Sequence, residues 1–522
     1  MDNADVKNAT LEPSVDNSIF MPALVVILTI SLFLIFAPDV ARPALQAAKV
    51  FVTDIFSWLF LLITAGALIF ALWLAYGPYG HVKLGEKDEG PEYSNLHWIA
   101  MMFTCGVGAG LIVWGFAEPI FYLATPPLGL EAGSDKAVEF AHVYPLFHWG
   151  ISSWAIYVVP AVPIAYLLYV KRQTVLRVST ACEGALPKTG RGAVKTLIDI
   201  LIIFGIIGGN ATALGLGIPM VSALLAEFLG VADNLLIRFG MLAIWAALFS
   251  FSVFRGLKRG IKILADINLV LAMLAITFIF VVGPTLFILK ISVNSIGLMV
   301  QNFAYMSLWT DPIGNSHFPE DWTVFYWTWY LAFTAFVGLF IARISRGRTI
   351  REMIMGVLLW GTMGTSLFLM VMGSYALHLE QSGSLPVADI LKTDGMFVLT
   401  AKILAALPLG KIVLFIFIVL STIFYATNVD SAAYVLSSIS SKNLRGDQEP
   451  PRSNRLVWAV LLALITAGLV YTDEVAIIQS ATIVSSLPLV PIVILMCISL
   501  MRALREDFGD MTARKILVYS KK

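Results

Sequence analysis

Residues 322–352 read WTVFYWTWYLAFTAFVGLFIARISRGRTIRE. No charged side chain precedes Arg343 in this stretch, and a bilayer requires roughly 20 consecutive apolar residues for one helical crossing. Arg346, Arg348 and Arg351 follow within one short loop, and lysine and arginine collect in the cytoplasmic loops of membrane proteins. The stretch therefore predicts a transmembrane helix whose carboxyl end faces the cytoplasm.

Apolar stretches of similar length recur from Ile19 to Met501. Hydrophobic residues make up 58% and charged residues 13% of the 522-residue chain, whereas soluble domains carry about 25% charged residues. This composition excludes a soluble globular protein and predicts one all-α polytopic membrane domain over 19–505. The predicted transmembrane helices number twelve and lie near 19–37, 55–76, 97–122, 141–170, 195–227, 236–254, 264–290, 322–343, 354–377, 408–438, 454–472 and 475–502.

Basic residues mark the loops after the even-numbered spans, whereas the odd-numbered loops are acidic or neutral. Arg255, Lys258 and Arg259, for example, follow span six. This alternation predicts that both termini are cytoplasmic, with a retained acidic tail over 1–18 and a short tail over 506–522. The chain carries 35 basic and 34 acidic residues, a balance that gives no reason to expect a nucleic-acid partner.

The segment 291–312 places apolar residues at helical spacing beside polar ones. Ile296, Met299 and Phe303 recur at intervals of three and four positions, which predicts an amphipathic helix in the outer membrane interface. A thirteenth short membrane span is the alternative, and it would break the alternation of charge between the loops.

Span three contains Gly106, Gly108 and Gly110 near the predicted membrane centre. Such glycines either let neighbouring helices pack closely or let one helix unwind around a ligand. An unwound stretch would offer N–H donors to a carboxylate and carbonyl oxygens to a cation, and it is tolerated only where it lines a cavity. The pattern itself leaves both interpretations open.

Polar residues also crowd into span ten, where an apolar run is interrupted by Thr427, Asn428, Asp430 and Ser431. Hydroxyl and amide oxygens are suitable ligands for a hard cation. Asp430 would carry a proton, bind an ion, or pair with a basic residue, since acids within a membrane face the bundle interior. Glu118 and His148 are similar cases, for which structural hydrogen bonding is the favoured interpretation over proton transfer.

Spans four and eight carry more aromatic residues than membrane anchoring requires. Aromatic belts explain rings at the membrane ends, but Trp154, Tyr157, Tyr330 and Phe333 lie further inward. On one continuous helix Trp149, Trp154 and Tyr157 would share a broad face. Converging aromatic faces attract cations that donate no hydrogen bonds, so the predicted ligand has a methylated onium head.

The stretch quoted first closely resembles the signature of the betaine/choline/carnitine transporter family. Further resemblance lies in GVGAG at 106–110, WGFAEP at 114–119, FHWGISSWAIY at 147–157 and GLKRGIKIL at 256–264. The resemblance implies a leucine-transporter-like inverted repeat of five plus five helices, over 97–290 and 322–502. It also implies a homotrimer in the lipid bilayer of the bacterial cytoplasmic membrane.

The resemblance implies an aromatic substrate site and an entrance to it, made of Trp149, Trp154, Tyr157, Tyr330, Trp329 and Phe333. Members of the family usually have tryptophan at the positions of Tyr330 and Phe333. Tyrosine keeps an aromatic face but reduces its area and adds a hydroxyl group. We therefore expect a ligand preference that differs from that of a typical betaine carrier.

The anionic end of the substrate would meet the glycine stretch, at Gly106, Gly108, Ala109 and Gly110. Span three has no acid between Trp98 and Glu118 that would balance a net-cationic ligand. This favours a zwitterion, such as glycine betaine, carnitine or dimethylsulfoniopropionate, over choline.

In sodium-coupled members one cation site resembles the set formed here by Thr104, Val107, Phe424, Thr427 and Asn428. Asn428 stands where serine is usual, and its oxygen lies on a longer side chain. Exchangers of the family place other groups in such sites. Lys262 would be one such group, or a simple charge anchor at a helix end.

These residues and the resemblance together predict secondary active import of a methylated onium zwitterion by sodium symport, with no cofactor besides the ion. A sodium-independent substrate/product antiporter and a proton-coupled choline/betaine carrier are the alternatives within transport. An osmosensor or receptor would be favoured by long charged tails, and the predicted tails are short. Enzyme activity is not expected, because metal-spaced His/Glu clusters, nucleophile motifs and phosphate loops are missing from the sequence.

Overall fold

The computed structural model describes residues 12–509 except 107, 174–176, 256–257, 445–447 and 473. Ten helical stretches in the described residues are long and apolar enough to cross a membrane, which confirms the all-α polytopic fold. The helices are α1 (Asn17–Phe36), α2 (Pro38–Tyr76), α3 (Asn95–Gly106), α4 (Ala109–Ala124), α5 (Asp135–His148), α6 (Ile151–Tyr169), α7 (Arg191–Leu229), α8 (Leu235–Arg255), α9 (Lys258–Val282), α10 (Thr285–Leu308), α11 (Pro319–Ile344), α12 (Ile350–Gln381), α13 (Val387–Ala405), α14 (Gly410–Ile439), α15 (Arg452–Thr472), α16 (Val475–Ser486) and α17 (Leu489–Phe508). The twelve-span count and the inverted repeat stay predictions.

The seventh predicted span ends earlier than expected. The span was expected to run to residue 290, but α9 ends at Val282, because Gly283 and Pro284 separate it from α10. Proline lacks a backbone N–H and favours the first turn of a helix, and α10 begins directly after Pro284. Helix α10 is long and apolar enough to cross a membrane, judged by its length and composition alone. The interfacial placement of 291–312 and the thirteenth-span alternative therefore both stay predictions.

Helix α13 is an element that the apolar pattern does not predict. It carries Asp389, Lys392, Asp394 and Lys402 among its apolar residues, so no long uncharged run marks it. Gly395 adopts a positive φ of 80° inside it and kinks the helix, a conformation that glycine adopts without steric cost. Its buried residues pack α13 against α7 and α4.

The long helices form one bundle in which a few pairs carry the main contacts. Helix α11 packs along α6, and α7 packs along both α14 and α16. Helix α4 lies against α5, α12 and α13. The helices that hold the predicted site residues include α4, α6, α11 and α14, and each of them packs against several neighbours in the bundle.

The start of the described chain is tied to the end of α14. Strand β1 (Ser14–Val15) pairs antiparallel with β2 (Ser441–Lys442), and Arg177 forms a 2.7 Å ion pair with Asp16. Burial of Asp16 raises its pKa, but hydrogen bonds from Ser18 and the Arg177 pair outweigh burial and hold the pKa below its usual range. Residues 1–11 and 510–522 of the predicted tails lie outside the described residues.

Candidate functional site

The interruption between α3 and α4 leaves main-chain groups without helical partners. Helix α3 ends at Gly106, α4 begins at Ala109, and Gly108 between them is extended. This interruption is what the unwinding interpretation of the glycine stretch requires. The first residues of a helix have unpaired backbone N–H groups, and these attract an anionic ligand. Val107 lies outside the described residues.

Gly110, in the first turn of α4, faces two tryptophan rings. A Cβ atom at this position would lie 2.8 Å from Cη2 of Trp149 and 3.2 Å from Cη2 of Trp329. The first distance is too short for a real contact, so a larger residue would displace the ring. Gly108 differs, because a Cβ atom there would have no heavy atom within 4 Å. Packing therefore requires glycine at 110 but not at 108.

Trp149 lies at a second break, between α5 and α6. A Cβ atom at Gly150 would lie 2.4 Å from the carbonyl oxygen of Leu146, so this backbone geometry requires glycine. The prediction that Trp149, Trp154 and Tyr157 share a face of one continuous helix is therefore wrong, because the helix is interrupted after the first of them. The three rings nevertheless line one cavity.

Four rings form the aromatic box, which we define as Trp149, Trp154, Tyr157 and Tyr330. Ring centroids are 5.6 Å apart for Trp154 and Tyr157, 4.8 Å apart for Tyr157 and Tyr330, and 6.0 Å apart for Trp149 and Tyr330. These separations are typical of favourable aromatic pairs. Adjacent rings meet at angles between 42° and 78°, so that faces and edges alternate around the box.

Trp329 and Phe333 extend the aromatic wall along α11. Trp329 lies 6.0 Å from Trp149 and 6.5 Å from Phe333, measured between ring centroids. Its indole N–H donates a 3.3 Å hydrogen bond to the carbonyl oxygen of Gly209 on α7. This bond leaves the ring little freedom to rotate away from the box.

A cavity of about 410 Å³ brings the predicted aromatic and ion residues together. This volume suits a small organic ligand. The predicted site residues that line it are Gly108, Gly110, Trp149, Trp154, Tyr157, Trp329, Tyr330, Phe333, Phe424, Thr427 and Asn428. None of the described lining residues is an aspartate, glutamate, lysine or arginine. Gly106 ends α3 and Ala109 begins α4, on either side of the chain interruption, and their side-chain positions lie outside the described residues.

Six further residues line the cavity without being indicated by the sequence patterns above, namely Cys105, Ala213, Phe336, Val337, Phe340 and Thr365. Phe336 and Phe340 follow Phe333 at helical spacing, so extending the periodicity of α11 would have found them. The hydroxyl of Thr365 donates a 2.7 Å hydrogen bond to the carbonyl oxygen of Trp149. No local pattern marks this threonine, because its partner comes from a distant part of the chain.

Helix α14 contributes three polar residues to the cavity wall, namely Thr427, Asn428 and Ser431. Thr427 donates its hydroxyl to the carbonyl oxygens of Ile423 and Phe424, each at 3.0 Å. The hydroxyl oxygen of Thr427 and the carbonyl oxygen of Phe424 are therefore neighbours that one cation could contact together, once the hydroxyl proton turns away. Asn428 lines the same wall, whereas Asp430 is not among the lining residues.

The side chains of Thr104 and Lys262 lie outside the described part of the chain. Among the described residues, Phe424, Thr427 and Asn428 on α14 line the same cavity as Gly108 at the interruption between α3 and α4.

Comparison with known proteins agrees with this architecture. A family model described as BCCT, betaine/carnitine/choline family transporter, matches residues 18–509. The chain is 34% identical over 493 residues to the glycine betaine transporter OpuD of Bacillus subtilis (strain 168), covering 94% of this chain and 95% of that protein. It is 31% identical over 465 residues to a carnitine transporter of Acinetobacter baumannii, covering 89% of this chain and 84% of that protein.

A third relative is the uncharacterized transporter YeaV of Escherichia coli (strain K12), which is 33% identical over 454 residues. That match covers 87% of this chain and 94% of the relative. The family match spans almost every helix described above, including both interrupted ones. The chain is therefore a multi-pass membrane transporter and not an enzyme, and it belongs to the betaine/carnitine/choline transporter family.

Proposed function

We propose that the protein imports a small zwitterion with a methylated onium head and a carboxylate, such as glycine betaine, carnitine or dimethylsulfoniopropionate. One observation carries this proposal. The aromatic box and the interrupted backbone beside Gly108 line the same cavity, which has no charged side chain among its described lining residues. Such a cavity suits a ligand with no net charge, whose two ends need different partners.

The onium head matches the aromatic box. A quaternary ammonium or sulfonium group donates no hydrogen bonds through heteroatoms, so it gains from ring faces rather than from polar acceptors. Trp154 and Tyr330 are 1% and 5% exposed, which means that the surrounding packing already fixes their rings. A ligand therefore loses little free energy in ordering the box when it binds.

The carboxylate matches the start of α4. Gly108 and Gly110 line the cavity where this helix begins. Backbone N–H groups and the helix dipole favour negative charge there. With the onium head in the box, this arrangement would hold both ends of a betaine-sized ligand without a charged side chain among the described residues that line the cavity.

Sodium is the coupling ion that we propose. The oxygens of Phe424 and Thr427 provide two neighbouring hard ligands, and the family resemblance adds Thr104 and Val107 from the opposite side. An ion held between α14 and the interrupted helix would brace the backbone that meets the carboxylate. Linkage then requires substrate and sodium to raise each other's affinity by the same factor.

The shape of the cavity suggests the direction of release. Its aromatic lining continues along α11 from Phe333 through Phe340, toward the end of the helix that carries Arg343. If this end is cytoplasmic, as the charge pattern predicts, the cavity extends toward the side where an importer releases its substrate. Cytoplasmic termini, the bacterial cytoplasmic membrane and the homotrimer stay predictions.

Asn428 favours a second candidate, a sodium-independent exchanger or proton-coupled carrier. It lines the cavity in the place where the sodium-coupled members have serine. A longer amide side chain would reach further into the ion position. The coupling mode therefore needs a direct test.

The test is uptake of radiolabelled glycine betaine into proteoliposomes, with an inward sodium gradient and with potassium replacing all sodium. We expect accumulation only with sodium. Equal uptake in potassium would contradict sodium symport, and preloading with unlabelled substrate or imposing a proton gradient would then separate exchange from proton coupling. Failure of uptake under every condition would contradict the proposed substrate class.

A further inference from the structure

A fully buried carboxylate lies directly behind the aromatic box. Glu118, on α4, is 0% exposed. Its Oε2 atom accepts hydrogen bonds from the indole N–H of Trp149 at 3.0 Å and from the hydroxyl of Tyr326 at 2.7 Å. Its Oε1 atom accepts the hydroxyl of Tyr122 at 2.7 Å, and Nδ1 of His148 lies 3.1 Å from it.

These partners suit the ionised form of Glu118. The indole N–H of Trp149 can only donate, and both tyrosine hydroxyls are placed to donate. Nε2 of His148 lies 3.0 Å from the hydroxyl of Thr323, so the ring can accept there and donate to Glu118 through Nδ1. Each of these partners can therefore donate to the Glu118 carboxyl oxygens, in a site that bulk water does not reach.

Trp149 separates this charge from the cavity. Its N–H points to Glu118, whereas the opposite edge of its ring, at Cη2, points to Gly110 and the ring lines the cavity. Glu118 is not among the lining residues. A ligand in the cavity would thus meet the ring of Trp149 and, behind it, the carboxylate.

We propose that Glu118 supplies the counter-charge for the onium head of the substrate and acts on it through the indole ring of Trp149. This inference rests on the proposed function. A carboxylate that accepts the indole N–H polarises the ring toward greater negative charge on its faces, because hydrogen-bonded groups polarise one another in a low-dielectric interior. The buried charge also attracts a nearby cation directly, with little screening.

The proposal explains how an uncharged cavity wall distinguishes a cation from a neutral group of the same shape. Ring faces alone contribute a modest cation–π attraction. A negative charge behind one ring adds to that attraction without placing a carboxylate in the cavity, where it would repel the carboxylate of the substrate. Glu118 is a positioning residue in this scheme, since it does not touch the ligand.

The test compares two ligands of almost identical shape. In glycine betaine a trimethylammonium group carries the positive charge, and in tert-butylacetate a neutral carbon replaces that nitrogen. The measured quantity is the ratio of their inhibition constants against binding of radiolabelled glycine betaine to the purified full-length protein. Glu118→Gln keeps the shape and an acceptor oxygen but removes the charge. We expect it to reduce the preference for glycine betaine by about tenfold.

Two more variants make the result specific. Trp149→Phe keeps a ring but removes the N–H link, so it should reduce the same ratio even if Glu118→Gln does not fold. Tyr144→Phe is the matched control, because Tyr144 is buried beside the cluster and its hydroxyl has no hydrogen-bond partner among the described residues. This control should leave the ratio unchanged.

The outcomes separate the inference from the function on which it rests. A wild-type protein that binds both ligands equally would contradict the proposed onium substrate. A wild-type preference that survives in Glu118→Gln would overturn the role of Glu118, even if both affinities fell together, because a purely structural role weakens both ligands alike.

Discussion

The two halves of the cavity wall are built in different ways. The aromatic half consists of rings in mutual contact, with centroid separations of 4.8 to 6.5 Å, and a hydrogen-bonded cluster supports one of them from behind. The ion half consists of one helix, α14, opposite an interrupted backbone. Under the proposed function, the substrate head would meet a preformed surface, whereas the proposed sodium site would be completed when the ion draws its two sides together.

The largest effect is expected from a substitution that disrupts the aromatic half at its tightest contact. In Gly110→Ala the new methyl group would lie 2.8 Å from the ring of Trp149, so the ring must leave its place. We expect glycine betaine uptake to fall roughly 10- to 100-fold, the usual consequence of overpacking a fixed core. Uptake initial rates in proteoliposomes measure this, normalised to the reconstituted protein.

Gly108→Ala is the matched control for that variant. It adds the same methyl group two positions away, where no heavy atom lies within 4 Å, and the extended backbone there accepts any residue. Its uptake should stay within about twofold of wild type. Equal losses in both variants would show that the glycine stretch needs flexibility rather than space.

An intermediate effect is expected in the ion half. Thr427→Ala removes one oxygen of the proposed sodium site, and the sodium concentration for half-maximal uptake should rise about tenfold. Thr422→Ala is the control on the same helix, since its hydroxyl bonds the carbonyl oxygen of Ile418 and it is not among the lining residues. An unaltered sodium titration in Thr427→Ala would place the ion elsewhere.

The smallest effect should come from Tyr330→Phe. This variant keeps the ring that contacts Tyr157 at 4.8 Å and removes only the hydroxyl. If ring faces recognise the onium head, the affinity for glycine betaine should change by at most about threefold, less than a typical hydrogen bond contributes. A loss larger than this, measured by equilibrium binding, would mean that the hydroxyl contacts the ligand.

The aromatic half of the site can be predicted from the sequence. The helix breaks that shape this half are harder to predict. Helix α11 carries its rings at regular helical positions, so periodicity alone places Tyr330 and Phe333 on the inner face. The break at Gly150 is not predictable in the same way, because a glycine within an apolar run also serves close helix packing. Trp149 therefore lines the cavity from the break between α5 and α6, a position that a continuous helix would not provide.

The cluster around Glu118 lies beyond local sequence patterns for another reason. Its partners Trp149 and Tyr326 are 31 and 208 positions away along the chain, and only the packing of α4 against α5 and α11 brings them together. A single glutamate in an apolar span indicates a buried, partnered acid. It does not indicate which helix supplies the partner.

The central claim is that aromatic faces in this cavity bind the charged head of the substrate. The most direct measurement is equilibrium binding of radiolabelled glycine betaine to purified Trp154→Phe and Trp154→Leu. Both variants keep an apolar side chain, but only phenylalanine keeps a ring face. We expect the leucine variant to bind at least about tenfold more weakly and the phenylalanine variant within about threefold of wild type. Equal affinity in the leucine variant and the wild type would contradict the claim.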